Sequence, residues 1–204
     1  MSNIAFSRIQ RECREVVTNK DLETTGIMIE MLNDQLTRMK GTINGPPDSP
    51  YEGGKFDLDI VIPENYPFHP PKVKFATRIW HPNVSSQTGL ICLDILKDQW
   101  SVLFYASLPS STVLLSVQSL LALPEPKDPQ DAVVAKQKMS EPDLFEKTAR
   151  FWTQHYAKGS GQKDADFLHK ISKLKDMGVT EDQAISTLSC CGWDLTRATD
   201  YLFS

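Results

Sequence analysis

Cys92 is the residue of this sequence that is best placed to act as a nucleophile. It lies in the segment HPNVSSQTGLICLDILKDQW, residues 81–100, nine positions after Asn83. On its own, a cysteine between Ile91 and Leu93 is more often inert core than a reactive thiol. A Pro-Asn turn and a Gln-Thr-Gly loop precede it, however, and irregular segments beside a rigid sheet often carry reactive residues. The pattern therefore predicts a thiol nucleophile with an amide side chain as its partner.

Four runs of alternating apolar and polar residues precede this segment and predict β-strands, over residues 27–32, 36–43, 55–62 and 72–79. Short links rich in Gly and Pro join them, which indicates an antiparallel meander. Apolar residues at helical spacing over residues 2–18 predict an amphipathic helix in front of the sheet. We therefore expect an α+β fold that holds the cysteine segment beside a sheet.

Three more helices are predicted after the cysteine segment, over residues 110–122, 130–139 and 141–156. The prolines of PEPKDPQD end the first of them and form a stiff loop. Ser140 is expected to cap the last of the three, and Pro142 suits its first turn.

The C-terminal residues predict a small module of their own. Residues 157–163, AKGSGQK, are small and polar, which is typical of a linker. Residues 164–204 predict three short helices, with a Thr180–Gln183 capping box opening the second and Asp194 capping the third. A chain of this length has a thin core, which favours a binding module over an enzyme.

Composition excludes several classes of function. The net charge of −4 argues against general nucleic-acid binding, and apolar runs of membrane-spanning or signal-peptide length are lacking. The four cysteines, at positions 13, 92, 190 and 191, have no paired metal-ligand spacing. They predict neither a metal site nor a disulfide framework, and they suit the reducing cytosol or nucleus.

Three motifs carry a resemblance to a known family: GPPDSPYEGGKF at 45–56, IPENYPFHPPKVKF at 62–75 and IWHPNVSSQTGLICLDILKDQW at 79–100. The chain resembles ubiquitin-conjugating enzymes, in particular the 25-kilodalton, huntingtin-interacting class with a C-terminal ubiquitin-associated domain. The resemblance implies a four-stranded antiparallel sheet packed on about four helices, followed by a three-helix bundle. It divides the chain into a conjugating core, a linker and a ubiquitin-associated domain, at 1–156, 157–163 and 164–204.

The same resemblance implies a mechanism. Cys92 would accept ubiquitin as a thioester from a charged activating enzyme and pass it to a lysine amine. Asn83 would stabilise the oxyanion, with ordering of its own loop as the alternative role. Asp128 would position the attacking lysine, although Lys127 stands where many relatives have a second acid. We expect no bound cofactor, because ATP is consumed upstream by the activating enzyme.

Partner surfaces are also carried over by position. The expected partners are donor and acceptor ubiquitin, the activating enzyme and ubiquitin ligases, with the chain acting as a monomer and with no nucleic acid or membrane. Donor ubiquitin would contact Leu115 and Ser119. The activating enzyme or a ligase would meet Arg8, Arg11 and Phe68. The C-terminal domain would bind ubiquitin through Met177, Gly178, Val179, Leu202 and Phe203. Relatives extend chains through lysine 48 of ubiquitin, a linkage that the residues do not fix.

Two other functions stay open at this stage. Residues 101–112 are a few residues longer than in close relatives, so an inactive ubiquitin-binding adaptor is one alternative. A cysteine hydrolase that pairs Cys92 with His81 is the other. We interpret His81 as structural, because Pro82 after it marks a turn and conjugating enzymes need no histidine base.

Overall fold

The chain folds around an antiparallel sheet of four strands. The computed structural model describes residue 10 and residues 26–35, 37–66, 68–69, 71–91 and 110–204. Within these residues the strands are β1 (Met28–Met31), β2 (Arg38–Asn44), β3 (Lys55–Val61) and β4 (Lys72–Phe75), paired in sequence order. The predicted meander is confirmed, and the predicted helix over residues 2–18 lies outside the described residues.

The fourth strand is shorter than predicted. We expected it to run to residue 79, but it ends at Phe75. The backbone N–H groups of Ala76 and Thr77 both donate to the carbonyl oxygen of Asp57, at 2.8 and 3.2 Å. The regular pattern of the sheet ends here, because in an antiparallel ladder each N–H group donates to a different carbonyl oxygen.

Six helices follow in the described residues. They are α1 (Ser110–Ala122), α2 (Ala132–Ser140), α3 (Pro142–Tyr156), α4 (Ala165–Asp176), α5 (Glu181–Cys190) and α6 (Leu195–Phe203). The prediction that Ser140 caps α3 is wrong. Glu141 occupies the N-cap position without a side-chain cap bond, while the Ser140 hydroxyl donates to the Lys136 carbonyl in α2 at 2.8 Å. Pro142 does open α3, as predicted.

The core forms where α1 crosses the inner face of the sheet. The alternation in β2, β3 and β4 buries one side of each strand, and α1 buries four residues against it: Val113, Leu114, Val117 and Leu121. Gly41 of β2 allows this close approach. A Cβ atom at Gly41 would lie 3.1 Å from the Leu114 side chain and 3.2 Å from that of Ile60.

The three C-terminal helices form the predicted small bundle, and its core is continuous with α3. The Trp193 indole stacks on Phe167 at 3.5 Å between ring centroids and meets Phe151 of α3 edge-on at 5.3 Å. Its Nε1–H donates to the Thr148 hydroxyl, also on α3, at 2.9 Å. The bundle therefore rests on α3 through a buried aromatic contact.

The caps and the connection of the bundle follow from sequence. Thr180 and Gln183 form both bonds of the predicted capping box, and Asp194 accepts from the Arg197 N–H at the start of α6. Residues 157–163 pack back on α3: Gly159 N donates to Thr153 O at 3.0 Å. None of the helices in the described ranges is long and apolar enough to cross a membrane.

Candidate active site around Asn83

The site begins with a tight, buried turn. His81 pairs with Val84, and Val84 pairs with Ile91, so the chain doubles back and is fixed up to Ile91. Gly89 makes this return possible with a φ of +74°. A Cβ atom there would lie 2.0 Å from the carbonyl oxygen of Phe75, whose N–H donates to Gly89 O at 2.8 Å. Cys92 follows directly but lies outside the described residues, so its role stays a prediction.

Asn83 is 2% exposed and is tied to the loop after α1. Its Nδ2 donates to the carbonyl oxygens of Glu125 and Asp128, both at 2.8 Å, and its Oδ1 accepts from the Glu125 N–H at 2.9 Å. Both amide hydrogens are thus used by the loop. This geometry gives Asn83 the loop-ordering role directly, while a role at an oxyanion would need one carbonyl to be replaced.

The same loop is held to the turn at two more places. Pro82 O accepts from the backbone N–H groups of Gln130 and Asp131, each at 2.9 Å. The Asp131 carboxylate accepts from the Ser86 hydroxyl at 2.7 Å and from the Val134 N–H, as the N-cap of α2, at 3.3 Å. Each additional bond narrows the positions that the loop can take relative to the turn.

Asp128 lies next to Asn83, since its backbone carbonyl accepts from the Asn83 side chain. Asp128 itself is exposed. An exposed carboxylate next to the buried Asn83 side chain is accessible to a cationic group of a partner. The positioning role in catalysis remains a prediction.

His81 is fully buried and its two ring nitrogens are occupied. Nδ1 accepts from the Asn83 N–H at 3.0 Å, so the proton belongs on Nε2, which donates to Leu120 O at 3.1 Å. Burial lowers the pKa of His81 to about 3. A neutral ring with both nitrogens engaged is poorly suited to deprotonate a thiol, which agrees with the structural interpretation of His81.

The predicted partner residues differ in accessibility. Phe68 is 71% exposed on its loop, Ser119 is exposed, and Leu115 is half-buried against the core. Arg8 and Arg11 lie outside the described residues.

In the C-terminal bundle, Met177 and Phe203 are exposed, while Val179 and Leu202 are half-buried. Gly178 has a φ of +93° and lies in open space. The apolar side chains of Met177 and Phe203 are therefore each accessible.

Sequence reasoning missed Glu125, Asp131 and Gln137. Asp131 could have been found, because an aspartate directly before a helical run is a typical N-cap. Glu125 binds Asn83 only through its backbone, which no residue type indicates. Gln137 is 7% exposed and accepts from the Trp80 indole at 2.8 Å.

The described residues form a groove but no candidate metal site. They contain no group of three acidic, His or Cys side chains that could hold a metal. A groove of about 440 Å³ lies on the outer face of the sheet, next to the turn at 85–89. Its charges are partly paired, as where Asp59 meets Arg38 at 3.3 Å and Lys74 at 3.7 Å, and it does not include Asn83 or Asp128.

Comparison with known proteins gives one consistent family. Residues 8–153 match the family described as "Ubiquitin-conjugating enzyme". The chain is 54% identical over 204 residues to "Ubiquitin-conjugating enzyme E2-22 kDa" of Drosophila melanogaster, covering 100% of both chains. It is 49% identical to "Ubiquitin-conjugating enzyme E2 K" of Homo sapiens, again over 100% of both.

Solved structures agree in fold. A putative ubiquitin-conjugating enzyme from Plasmodium yoelii superposes with a TM-score of 0.70 at 44% identity, covering 78% of this chain and 99% of that one. The E2 domain of a Toxoplasma gondii ubiquitin-conjugating enzyme gives a TM-score of 0.66 at 48% identity, covering 74% of this chain and 97% of that one.

Proposed function

The chain belongs to the ubiquitin-conjugating enzyme family, and on that premise we propose that Cys92 carries ubiquitin as a thioester and delivers it to a lysine amine. The family makes the protein a ubiquitin transferase that works with ubiquitin, an activating enzyme and ligases. The thioester step and the linkage of the chain are our proposals.

One observation supports the proposal most directly. The Asn83 side chain joins the turn that leads to Cys92 to the loop that carries Asp128. A thioester carbonyl on Cys92 and an amine beside Asp128 would then be held by two segments that cannot move apart freely. Holding two reactants in one geometry is a large part of what such a transfer needs.

The proposed chemistry runs in two balanced exchanges. The Cys92 thiolate attacks the thioester carbonyl on the activating enzyme, the new C–S bond forms, and the thiolate of the activating enzyme leaves. A neutral lysine amine then attacks the Cys92 thioester, an amide bond forms, the Cys92 thiolate leaves, and the amine proton passes to solvent. Asp128 orients the amine. A carboxylate by itself favours the charged amine, so we assign Asp128 to positioning rather than to lowering the lysine pKa.

We propose that the C-terminal bundle is a ubiquitin-associated domain that binds acceptor ubiquitin. The support is the exposure of the apolar side chains of Met177 and Phe203, since burial of such surface drives association. A second binding site raises the local concentration of acceptor and favours chain extension. We further propose lysine 48 linkage, a monomeric enzyme, and action in the cytoplasm and nucleus with ATP used only upstream.

The first experiment incubates the protein with ubiquitin, activating enzyme and ATP and resolves it on a non-reducing gel. We expect an adduct that thiol reductant removes and that Cys92→Ala abolishes. Cys190→Ala is the matched control at an exposed cysteine on α5, where partial burial of the thiol raises its pKa to about 11. Folded protein that binds ubiquitin but forms no adduct would contradict the carrier chemistry and favour the adaptor. Release of ubiquitin from conjugates without ATP would instead identify a hydrolase.

A second experiment tests the bundle. Phe203→Ala should weaken binding of free ubiquitin, measured by titration, and should slow extension of ubiquitin chains without changing adduct formation. Met139→Ala is the control, since Met139 is 59% exposed but lies on α2, away from the residues assigned to ubiquitin. Equal binding by both variants would place the ubiquitin contact elsewhere.

A further inference from the structure

A buried chain of hydrogen bonds runs from the C-terminal bundle to the turn that holds Asn83. The Trp80 Nε1–H donates to Gln137 Oε1 on α2 at 2.8 Å, and Gln137 Nε2 donates to the Ser189 carbonyl on α5 at 3.5 Å. Trp80 is 1% exposed, Gln137 7% and Ser189 0%. We refer to these three residues as the Trp80–Gln137–Ser189 chain. Trp80 directly precedes His81, so this chain of hydrogen bonds ends next to the first residue of the turn.

A second contact joins the same two ends. The Ser189 hydroxyl accepts from the Trp152 Nε1–H of α3 at 2.9 Å, and the Trp152 and Trp80 rings lie 5.1 Å apart between centroids. Arg78 covers the Trp152 ring at 5.0 Å and donates to the Ser186 hydroxyl of α5 at 2.6 Å. Ser189 therefore reaches Trp80 through both a polar and an aromatic neighbour.

On its other side, Trp80 is connected to the buried turn itself. Its carbonyl oxygen accepts from the Tyr51 hydroxyl at 2.9 Å, and the Tyr51 ring lies 5.6 Å from the His81 ring. His81 in turn accepts from the Asn83 N–H at 3.0 Å. A displacement of the Trp80 indole would therefore reach Asn83 through consecutive buried contacts, which close packing transmits rather than absorbs.

We propose that Gln137 and Ser189 are positioning residues for transfer of ubiquitin to lysine, so that the C-terminal bundle forms part of the conjugating site. This inference rests on the proposed function of Cys92. Loss of the Gln137 amide leaves the Trp80 indole N–H without its acceptor, and loss of the Ser189 hydroxyl does the same to the Trp152 indole, whose ring lies against that of Trp80. The affected ring must shift or admit water to satisfy its N–H. Reaction rates respond strongly to displacements well below 1 Å in the groups that hold the reactants.

The same interface supplies a matched control. Trp193 Nε1–H donates to the Thr148 hydroxyl at 2.9 Å, which is another buried indole-to-hydroxyl bond between the bundle and α3. This bond does not reach Trp80. Thr148→Val and Ser189→Ala therefore remove comparable indole-to-hydroxyl bonds across one interface, and only the indole freed by the second, that of Trp152, packs against Trp80. Ser189→Ala keeps the backbone carbonyl that accepts from Gln137.

The experiment charges the full-length protein with ubiquitin and follows discharge of the thioester onto free lysine at several lysine concentrations. We expect Gln137→Met and Ser189→Ala to slow discharge roughly 3- to 10-fold, and Thr148→Val to leave it unchanged. The double variant Gln137→Met/Ser189→Ala should lose no more than the stronger single variant, because both substitutions act through the position of the one Trp80 indole. The indole N–H resonance of Trp80 should shift in both single variants and stay in place in Thr148→Val.

The outcomes separate the two proposals. Suppose that the wild-type protein is charged with ubiquitin and discharges it to lysine. If the Gln137 and Ser189 variants then discharge as fast as Thr148→Val, the positioning role alone is overturned. Equal slowing in all three variants would overturn it too, since the loss would then reflect a weakened interface. A wild-type protein that is never charged would remove the proposed function and the positioning role with it.

Discussion

Asn83 and Glu125 are joined by two hydrogen bonds that run in opposite directions. Nδ2 of Asn83 donates to the Glu125 carbonyl at 2.8 Å, and the Glu125 N–H donates to Oδ1 of Asn83 at 2.9 Å. The side-chain amide thus imitates a paired backbone segment. Only the side-chain amide of Asn or Gln offers two N–H donors and a carbonyl acceptor on one planar group, and Gln would place them one carbon further out.

Replacement of Asn83 should therefore affect both stability and transfer. Asn83→Ala removes three bonds to the loop and should lower the free energy of unfolding by about 2 to 4 kcal/mol, at roughly 1 kcal/mol for each. Discharge to lysine should slow as well, because the loop carrying Asp128 is released. Urea unfolding and single-turnover discharge measure the two effects separately.

Glu125→Ala is the control for this pair. Glu125 contributes only backbone atoms to its bonds with Asn83, so both bonds survive truncation of its side chain. Truncation does remove the exposed bond that the Glu125 carboxylate accepts from the Lys127 N–H at 3.2 Å, so stability should fall by no more than about 1 kcal/mol and discharge should stay close to wild type. A large loss in Glu125→Ala would mean that the loop is held by something other than the Asn83 amide.

Burial of His81 predicts a dependence of stability on pH. Its pKa falls from 6.5 to about 3 on folding. Between these values the unfolded chain binds a proton that the folded chain does not, so stability falls as the pH falls through this window and levels off below it. The His81-dependent part should amount to about 2 to 3 kcal/mol between about pH 6 and pH 4, at a limit of about 1.4 kcal/mol per pH unit.

The measurement is urea unfolding of wild type and His81→Gln across that range. The variant should lose less stability than wild type on acidification. His69→Gln, at an exposed histidine, is the control for the substitution itself. Parallel curves for wild type and His81→Gln would contradict the buried neutral ring.

Two glycines with positive φ should respond very differently to alanine. Both Gly89 and Gly178 require a backbone that costs a side-chain residue about 1 to 2 kcal/mol. Gly178 has open space around it, whereas a Cβ atom at Gly89 would meet the Phe75 carbonyl at 2.0 Å. Gly89→Ala should therefore cost about 1 to 3 kcal/mol more than Gly178→Ala in thermal or urea unfolding, because overpacking adds to the strain. Equal costs would show that the Gly89 turn can relax.

Asp131 and Asp194 both cap helices, but only Asp131 also holds the site. Each Asp→Ala variant should lose about 1 kcal/mol for the missing cap. Asp131→Ala also frees the Ser86 hydroxyl, which donates to it at 2.7 Å, and should slow discharge to lysine. Asp194→Ala should discharge at the wild-type rate. A wild-type rate of discharge in Asp131→Ala would show that the two backbone bonds accepted by Pro82 O suffice to hold the loop.

Local rules account for what the sequence predicted, and distant contacts account for what it did not. Alternation predicted the four strands, and the Thr180–Gln183 box is a local motif that the structure confirms. The end of β4 depends on Asp57 of the neighbouring strand β3, because its carbonyl accepts from the N–H groups of both residues that follow β4. The acceptors of the Asn83 amide lie more than forty positions along the chain and are backbone atoms, which carry no signature in sequence.

The placement of the C-terminal bundle was likewise beyond sequence reasoning. Residues 157–163 have the composition of a free linker, yet Gln154 donates to the carbonyls of Ser160 and Gln162 at 3.3 and 3.4 Å. The stack of Trp193 on Phe167 beside Phe151 fixes the bundle on α3, and it joins residues that no local rule connects.

The aromatic contact of Trp193 with α3 also bears on how such a protein can evolve. Phe151 and Thr148 lie on one side of that contact and Trp193 on the other, so each half has a surface that only the other half completes. A foreign bundle spliced on at residue 164 would leave Phe151 without its cover. The two halves are therefore expected to be inherited as a pair, with a change in one selecting for a matching change in the other.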